Sequence, residues 1–582
     1  MSSGQSAGGG SGIAAPVSIV GVIFGGGALF TGAWLGGTLG AAAGGGDWAP
    51  PPFSFRSAVY LCTRGPSALW PAAPTGAVVG IVTLLALLVA GLTFGGLWAW
   101  RRSSRQGGLA GHKQMAALAP KRAEARAREL RPSLKLVKEL QPRDRGVLLG
   151  DLEPRGPELR GSDEDVYLAL MAPRAGKSTA LATPTLLEAP GAALLTSNKS
   201  DVYAITRQAR SRVGTTWVLD AQSVAHAERE LWWDILASAR TIEGARRLAM
   251  HFIAAGSDSS ARRDFWMNAA LNTLTALFHA AALNGGTVTD VLAWLSTPAD
   301  RAPVNALRAN GMTALADQLA STVAGAPETR DGVYETARQC VACLLDPQIA
   351  AWVTPDKHRA QFEPTRFVQS LDTLYLLSKD GGGSAAGVIA AAADSVFRAG
   401  VQAAERAGGR LDAPLRAILD EAANVCRIED LPDLYSHLGS RGITPVTILQ
   451  SYRQGVRVWG EVGMDALWSA STVKLLGAGL DDADFVEKVS RLVGEHKVKE
   501  TSVSHSSSGR STSTSRQRER IMEPAQIRAL PKGRALLLAT GVPVGLVKLR
   551  PWYAEPGAAE LAAAADAEAK AITERARRAA IA

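Results

Sequence analysis

The segment Met171-Ala-Pro-Arg-Ala-Gly-Lys-Ser-Thr179 follows an apolar run, VYLALM (166–171), and precedes a helical one, TALATPTLL. A strand, a loop and a helix N-terminus in that order point backbone N–H groups and a positive dipole end at an anion. The chemistry this suits is the binding of a nucleotide's phosphates. Ala172, Pro173, Arg174, Ala175, Gly176, Lys177, Ser178 and Thr179 would line them, with Lys177 between the β- and γ-phosphates and Ser178 on Mg²⁺. ATP and Mg²⁺ are the ligands implied. The pattern GxxxxGK[ST] has glycine at its first position, where this chain has Met171.

A second constellation ends the run LRAILD (415–420), where Asp420 is followed by Glu421. Beside a phosphate loop, Asp420 would orient Mg²⁺ through water and Glu421 would polarise the attacking water as a base. Gln450 closes the next predicted strand, PVTILQ (445–450), where its amide would sense the γ-phosphate. Arg441, in HLGSRGI (437–443), is a candidate arginine finger reaching across a subunit boundary. The expected catalytic set is therefore Lys177, Glu421, Gln450 and Arg441, and the expected metal set Ser178 and Asp420. Other chemistries find no support. The eight histidines lack metal-ligand spacing, and no Ser/His/Asp arrangement or strand-borne GxGxxG occurs. Cys340-Val-Ala-Cys343 has the spacing of half a zinc site, but no second pair follows, and its alanine-rich context favours packing.

The elements that must carry these residues read as α/β. Strands are predicted at 166–171, 191–198, 215–220, 373–378, 415–420, 445–450, 471–479 and 535–541, alternating at first with helices, which implies a parallel, doubly covered sheet. Between 225 and 364 the strand signal fades into Ala/Leu/Arg-rich segments such as FWMNAALNTLTALFHAAAL, so an all-α inserted domain splits the nucleotide-binding domain into 146–224 and 365–552. A charged helix is expected at 117–139. Residues 501–520, rich in Ser, Thr and Arg, read as a mobile loop without periodicity, and 553–582 as an exposed helical or disordered tail.

Residues 1–100 carry only three charges, Asp47, Arg56 and Arg64, and two apolar stretches, about 16–43 and 75–100, each exceed the ~20 residues that cross a bilayer. They predict a two-helix transmembrane hairpin with a short external loop. Residues 101–145 hold 13 Lys/Arg against 4 Asp/Glu, a basic linker that places both termini and the ATPase domain on the cytoplasmic side.

The order of these parts resembles the type IV secretion coupling proteins, the TraG/TraD-like conjugation ATPases. The likeness is carried by APRAGKSTALATPTLLEAPGAALLTSNKSDVY, by LWWDIL, and above all by LDEAANVCRIEDLPDLYSHLGSRGITPVTILQSYRQ. That last stretch joins the acidic pair to an Asn-x-x-x-Ile segment, an Arg-Gly loop and a Gln-Ser-x-x-Gln end. Met171 departs from the family's usual glycine, and NKSD (198–201) from its usual Asp-x-Lys-x-Glu. The resemblance implies a RecA-like P-loop ATPase, commonly hexameric, at the inner face of the cell membrane. It implies that relaxase-bound single-stranded DNA or a protein effector is received and passed to the channel components of a type IV secretion system. Two alternatives are a membrane nucleotide-binding receptor that recruits cargo without pumping, and an FtsK-like double-stranded DNA translocase.

Overall fold

Strands with no polar side must be covered on both faces, and the runs Tyr167–Leu170, Ala193–Ser197, Thr373–Leu377 and Leu415–Leu419 are buried along their whole length. The computed structural model describes residues 30–44, 48–71, 108–256, 265–381, 384–506 and 509–581, with isolated positions between 76 and 95. The chain divides into two units, residues 1–107 and 108–582. In the second unit the strands through the insertion are β1 (Val147–Leu152), β2 (Glu158–Gly161), β3 (Tyr167–Leu170), β4 (Ala193–Ser197), β5 (Thr216–Asp220), β6 (Leu231–Trp233) and β7 (Ala360–Phe362). After it come β8 (Thr373–Leu377), β9 (Leu415–Leu419), β10 (Ile443–Leu449), β11 (Val473–Gly477), β12 (Glu495–Ser506), β13 (Gly509–Arg520), β14 (Arg534–Ala539) and β15 (Gly545–Lys548).

Eleven of these form one sheet in the order β2-β1-β15-β14-β11-β3-β10-β9-β4-β8-β5. From β11 to β5 every neighbouring pair is parallel. From β11 to β2 every pair is antiparallel. The sheet is thus mixed where a parallel one was expected. All eight predicted strands are present; β1, β2 and β15 were missed because runs such as VLLGDL and ELRG mix glycine and charge into short segments.

The region between β5 and β8 is built mainly of helices, including Ile242–Gly256, Phe265–Leu283 and Pro327–Cys340. It is not purely α, because β6 and β7 pair in parallel where the chain enters and leaves it. LWW and AQF are three-residue strands, too short to show a period. Helix Ala386–Arg406 lies between this region and the sheet. A Cβ on its Gly387 would come within 2.8 Å of Phe252, and one on Gly400 within 2.9 Å of Ile443. Cys340 and Cys343 are half-buried against the core, where burial pushes both thiols up to about 11.

Other sequence expectations are revised. The second unit begins at Gly108, so much of the basic segment is packed onto the body expected to start at Gly146: the Ala110 N–H donates to the Val544 carbonyl at 2.8 Å, and Met115 is fully buried. The charged helix is only Pro120–Leu130, because Pro132 follows and cannot continue it. The C-terminal helix Ala558–Ile581 docks on helix Asp201–Ser211, with Arg207–Glu568 at 3.2 Å and Arg212–Glu560 at 2.6 Å. Where a loop was expected at 501–520, Glu495–Ser506 and Gly509–Arg520 pair as the two-stranded ribbon β12–β13.

In the first unit, residues 30–43 are helical, and Ser54 caps helix Phe55–Arg64 by accepting from the Ser57 N–H. The Trp34 indole donates to the Pro51 carbonyl at 2.8 Å, and Trp70 is buried against Gly37. Of the two expected membrane spans, residues 16–29 and most of 75–100 lie outside the described residues. Among the described residues no helix is long and apolar enough to cross a membrane.

One ion pair ties β9 to the strand side of the body. Arg416 is fully buried, donates to Asp163, itself buried, and donates to the Glu188 carbonyl at 3.2 Å. Removing one member strands the other's charge, so Arg416→Met should cost about 3–5 kcal/mol. The double change Asp163→Leu/Arg416→Met should recover most of that loss. Urea unfolding of the wild type and the two variants checks this.

Candidate nucleotide site

The order β3-β10-β9 brings three strand C-termini side by side, and each delivers a residue singled out in the sequence. After β3 the chain turns through residues 171–176 into a helix that starts at Lys177. Gly176 turns the corner with φ 105°, a backbone conformation open to glycine at little cost. Arg174, with φ 64°, and Pro173 are exposed, while Ala175 is buried beneath them. Met171 does not need to be glycine here. Its N–H continues the ladder to the Leu449 carbonyl at 3.0 Å, and its side chain is buried against Gly477 of β11, where a Cβ would come within 2.7 Å of it. The methionine anchors the start of the loop in the core.

Lys177 is almost entirely buried, and its ammonium pairs with Glu421, with Asp420 Oδ1 at 3.9 Å. Burial holds the Lys177 ammonium below its ordinary range; Asp420 opposes that shift and nearby Lys199 adds to it. Ser178 Oγ donates to Asp420 Oδ2 at 3.5 Å. Glu421, the residue after Asp420, is held at φ 56° in the left-handed region, an uncommon conformation for a side chain with a Cβ. That turn lets both carboxylates of the pair point back into one site.

The Gln450 amide donates to both Glu421 oxygens at 2.8 Å. Asn424 donates to Glu421 Oε2 at 3.0 Å, Gln454 donates to Asn424 Oδ1 at 3.0 Å, and the Gln450 N–H donates to Gln454 Oε1 at 2.8 Å. Asn424 and Gln454 stood in the sequence only as parts of the Asn-x-x-x-Ile and Gln-Ser-x-x-Gln patterns; their contacts make them the posts that fix Glu421 and Gln450. Thr196, on β4, donates to the Asp420 carbonyl at 3.0 Å and was not singled out at all. The structure therefore brings together Lys177, Ser178, Asp420, Glu421 and Gln450. It does not bring Arg441 to them. That residue precedes β10, at the opposite end of the seven-residue strand from Gln450, about 20 Å away at the usual rise per residue.

The donor set fits a magnesium nucleotide. Asp420 Oδ1 is buried with no hydrogen-bond partner among the described residues, next to a serine hydroxyl and a loop of backbone N–H groups. An oxygen left so is a ready ligand for a cation or its water.

Comparison with known proteins follows from this geometry. The family model described as the TraM recognition site of TraD and TraG matches residues 414–532, which run from the acidic strand through the ribbon. Among curated protein sequences none matches. Solved structures of the bacterial conjugative coupling protein TrwB do. An unbound form lacking its N-terminal segment superposes with a TM-score of 0.53 at 18% identity, covering 72% of this chain and 91% of that one. TrwB with the GTP analogue GDPNP gives 0.52 at 19%, covering 72% and 92%. TrwB with ADP and Mg²⁺ gives 0.51 at 19%, again covering 72% and 92%. At such identities the superpositions establish the fold. The family model, over residues 414–532, agrees with the resemblance read from the sequence there.

Burial sets a pH signature for this site. It pushes Asp420 up to about 6 from an ordinary 3.8, against the lowering effect of Lys177. The folded protein therefore holds this proton more tightly than the unfolded chain, and the associated stability, full below about pH 4, is lost as pH rises through about 6. Asp420→Asn should thus raise unfolding free energy at pH 7.5 by up to about 3 kcal/mol, a gain that disappears by pH 4. Chemical denaturation at the two pH values measures it.

Proposed function

We infer that this chain is a coupling protein of the type IV secretion class, an ATPase anchored at the inner membrane that takes DNA with its bound relaxase, or a protein effector, to the transfer channel. One observation carries the reading: Lys177, Asp420, Glu421 and Gln450 converge at three adjacent strand ends on a fold shared with the conjugative coupling protein TrwB. The family model over residues 414–532 supports a partner among the proteins of the DNA-processing complex. The basic segment 101–145 supports the membrane placement through its charge. A ring of six copies, with Arg441 of one serving the site of the next, completes the reading.

ATP with Mg²⁺ supplies the phosphoanhydride whose cleavage drives movement. Residues 172–179 wrap its phosphates, and Gly176 gives the backbone its close approach. Lys177 sits between the two carboxylates and the loop, so it can exchange its Glu421 partner for a phosphate oxygen. Ser178 and Asp420 would hold Mg²⁺, which would neutralise charge on the phosphates. Glu421, once its ammonium partner has moved, is the base that orients water, and Gln450 reports on the γ-phosphate through the same two oxygens. Asn424 and Gln454 keep that reporter and base in register.

Steady-state ATP turnover of the purified chain, with and without single-stranded DNA, tests the motor. Turnover stimulated by DNA and reduced at least about a hundredfold by Lys177→Ala and by Glu421→Gln is expected. A wild-type chain that binds ATP and never turns it over is a receptor without a motor. Asn424→Ala should lower kcat while leaving ATP affinity within about threefold, because it touches Glu421 and not the phosphate loop.

A further inference from the structure

The ribbon β12–β13 sorts its charges by face. In the antiparallel register Glu495 pairs with Arg520, Lys497 with Arg518, Lys499 with Arg516, and His505 with Arg510. Paired positions share a face, and alternate positions along a strand share it too. By register all six Lys and Arg positions of the two strands (497, 499, 510, 516, 518 and 520) therefore belong to one alternating set, together with a single acidic position, Glu495. The alternate set of register positions includes Glu500, Glu519, Gln517 and a series of serines, with no Lys or Arg.

Two features make this more than a solvated hairpin. Lys497 opposite Arg518 and Lys499 opposite Arg516 are consecutive like-charge pairs, each of which opposes ribbon formation. Arg520, at the root, is neutralised by Glu487 through bonds of 2.8 and 2.9 Å. Lys497, Arg516 and Arg518 are exposed and make no ion pair among the described residues. An anion from outside the chain would relieve that repulsion. Each strand has 12 residues, so the ribbon is about 40 Å long. The two strands hold only two large apolar residues in their sequence, Val498 and Val503, so a protein partner held by hydrophobic burial finds little to grip. A two-stranded ribbon with a row of cations along one face matches a polyanion with regularly spaced charges.

We propose that the basic face of β12–β13 is a nucleic-acid contact, in which Lys497, Lys499, Arg516 and Arg518 bind the phosphodiester backbone without regard to sequence. This rests on the DNA-transfer reading above and locates a contact within it. The nucleotide site holds none of these residues, so ATP turnover without DNA is unaffected by their loss.

The test is fluorescence anisotropy of the full-length purified chain on a labelled thirty-nucleotide poly(dT) across a potassium chloride series. Three variants join the wild type: Lys497→Gln/Lys499→Gln/Arg516→Gln/Arg518→Gln, the half set Lys499→Gln/Arg516→Gln, and the opposite-face control Ser511→Ala/Ser513→Ala/Ser515→Ala. At about 0.7 per neutralised phosphate on a single strand, the full set should flatten the log–log salt slope by about 3 and the half set by about 1.5, and the full set should weaken binding at least tenfold at low salt. The control should match the wild type. Removing like-charge pairs does not unfold the ribbon, so thermal midpoints should not fall. Wild-type binding with an unchanged slope in the full set overturns the ribbon contact and leaves the DNA-transfer reading standing. A wild type that binds no oligonucleotide overturns both. Loss of binding to anionic phosphatidylserine vesicles by the full set, with oligonucleotide affinity intact, also overturns the proposal, since the face would then serve a membrane.

Discussion

A buried ammonium needs a counter-charge, and the need of Lys177 organises the site. Its partners are Glu421 and Asp420, contributed by a strand more than two hundred residues further along the chain. Bringing them within reach requires β9 to lie one strand away from β3, with β10 between. That spacing then places Gln450, at the end of β10, directly against Glu421. The desolvation that depresses Lys177 and raises Asp420 is the same burial seen from the two charges. A site built this way is responsive, because whatever engages Lys177 frees Glu421.

The rest of the second unit follows from holding those strand ends in place. Arg416 and Asp163 fix β9 from the far end of the sheet, where a mismatch would shift the acidic pair. The long helix Ala386–Arg406 uses glycines where it meets Phe252 and Ile443, so the helical region and the sheet share one continuous apolar core. The neck β6–β7 pins the entry and exit of that region together.

The antiparallel extension β14-β15-β1-β2 adds to the parallel strands an edge on which the segment after Gly108 packs, and the chain between β11 and β14 carries the β12–β13 ribbon outward. The parallel strand ends hold the chemistry, while the segment on this other side carries concentrated positive charge.

Much was legible in the residues alone. The eight predicted strands are predominantly apolar runs, several of them buried on both faces, and such a run needs no neighbour to declare itself. Lys177, Ser178, Asp420, Glu421 and Gln450 could be picked out because a phosphate loop, an acidic pair and a glutamine each follow an apolar run, and in combination their types match phosphate chemistry. What the sequence could not decide was adjacency. The strand order, the posts Asn424, Gln454 and Thr196, and the distance of Arg441 from the site all depend on contacts between residues far apart in the chain. The tolerance for Met171 needed Gly477 on a neighbouring strand to explain it. The ribbon marks the boundary most clearly. Its two-residue period is written in the sequence, but in charge and hydroxyls rather than in hydrophobicity, and only strand pairing shows that the basic positions of both strands fall on one face. Local composition fixes what a segment can be, whereas long-range packing fixes what it faces.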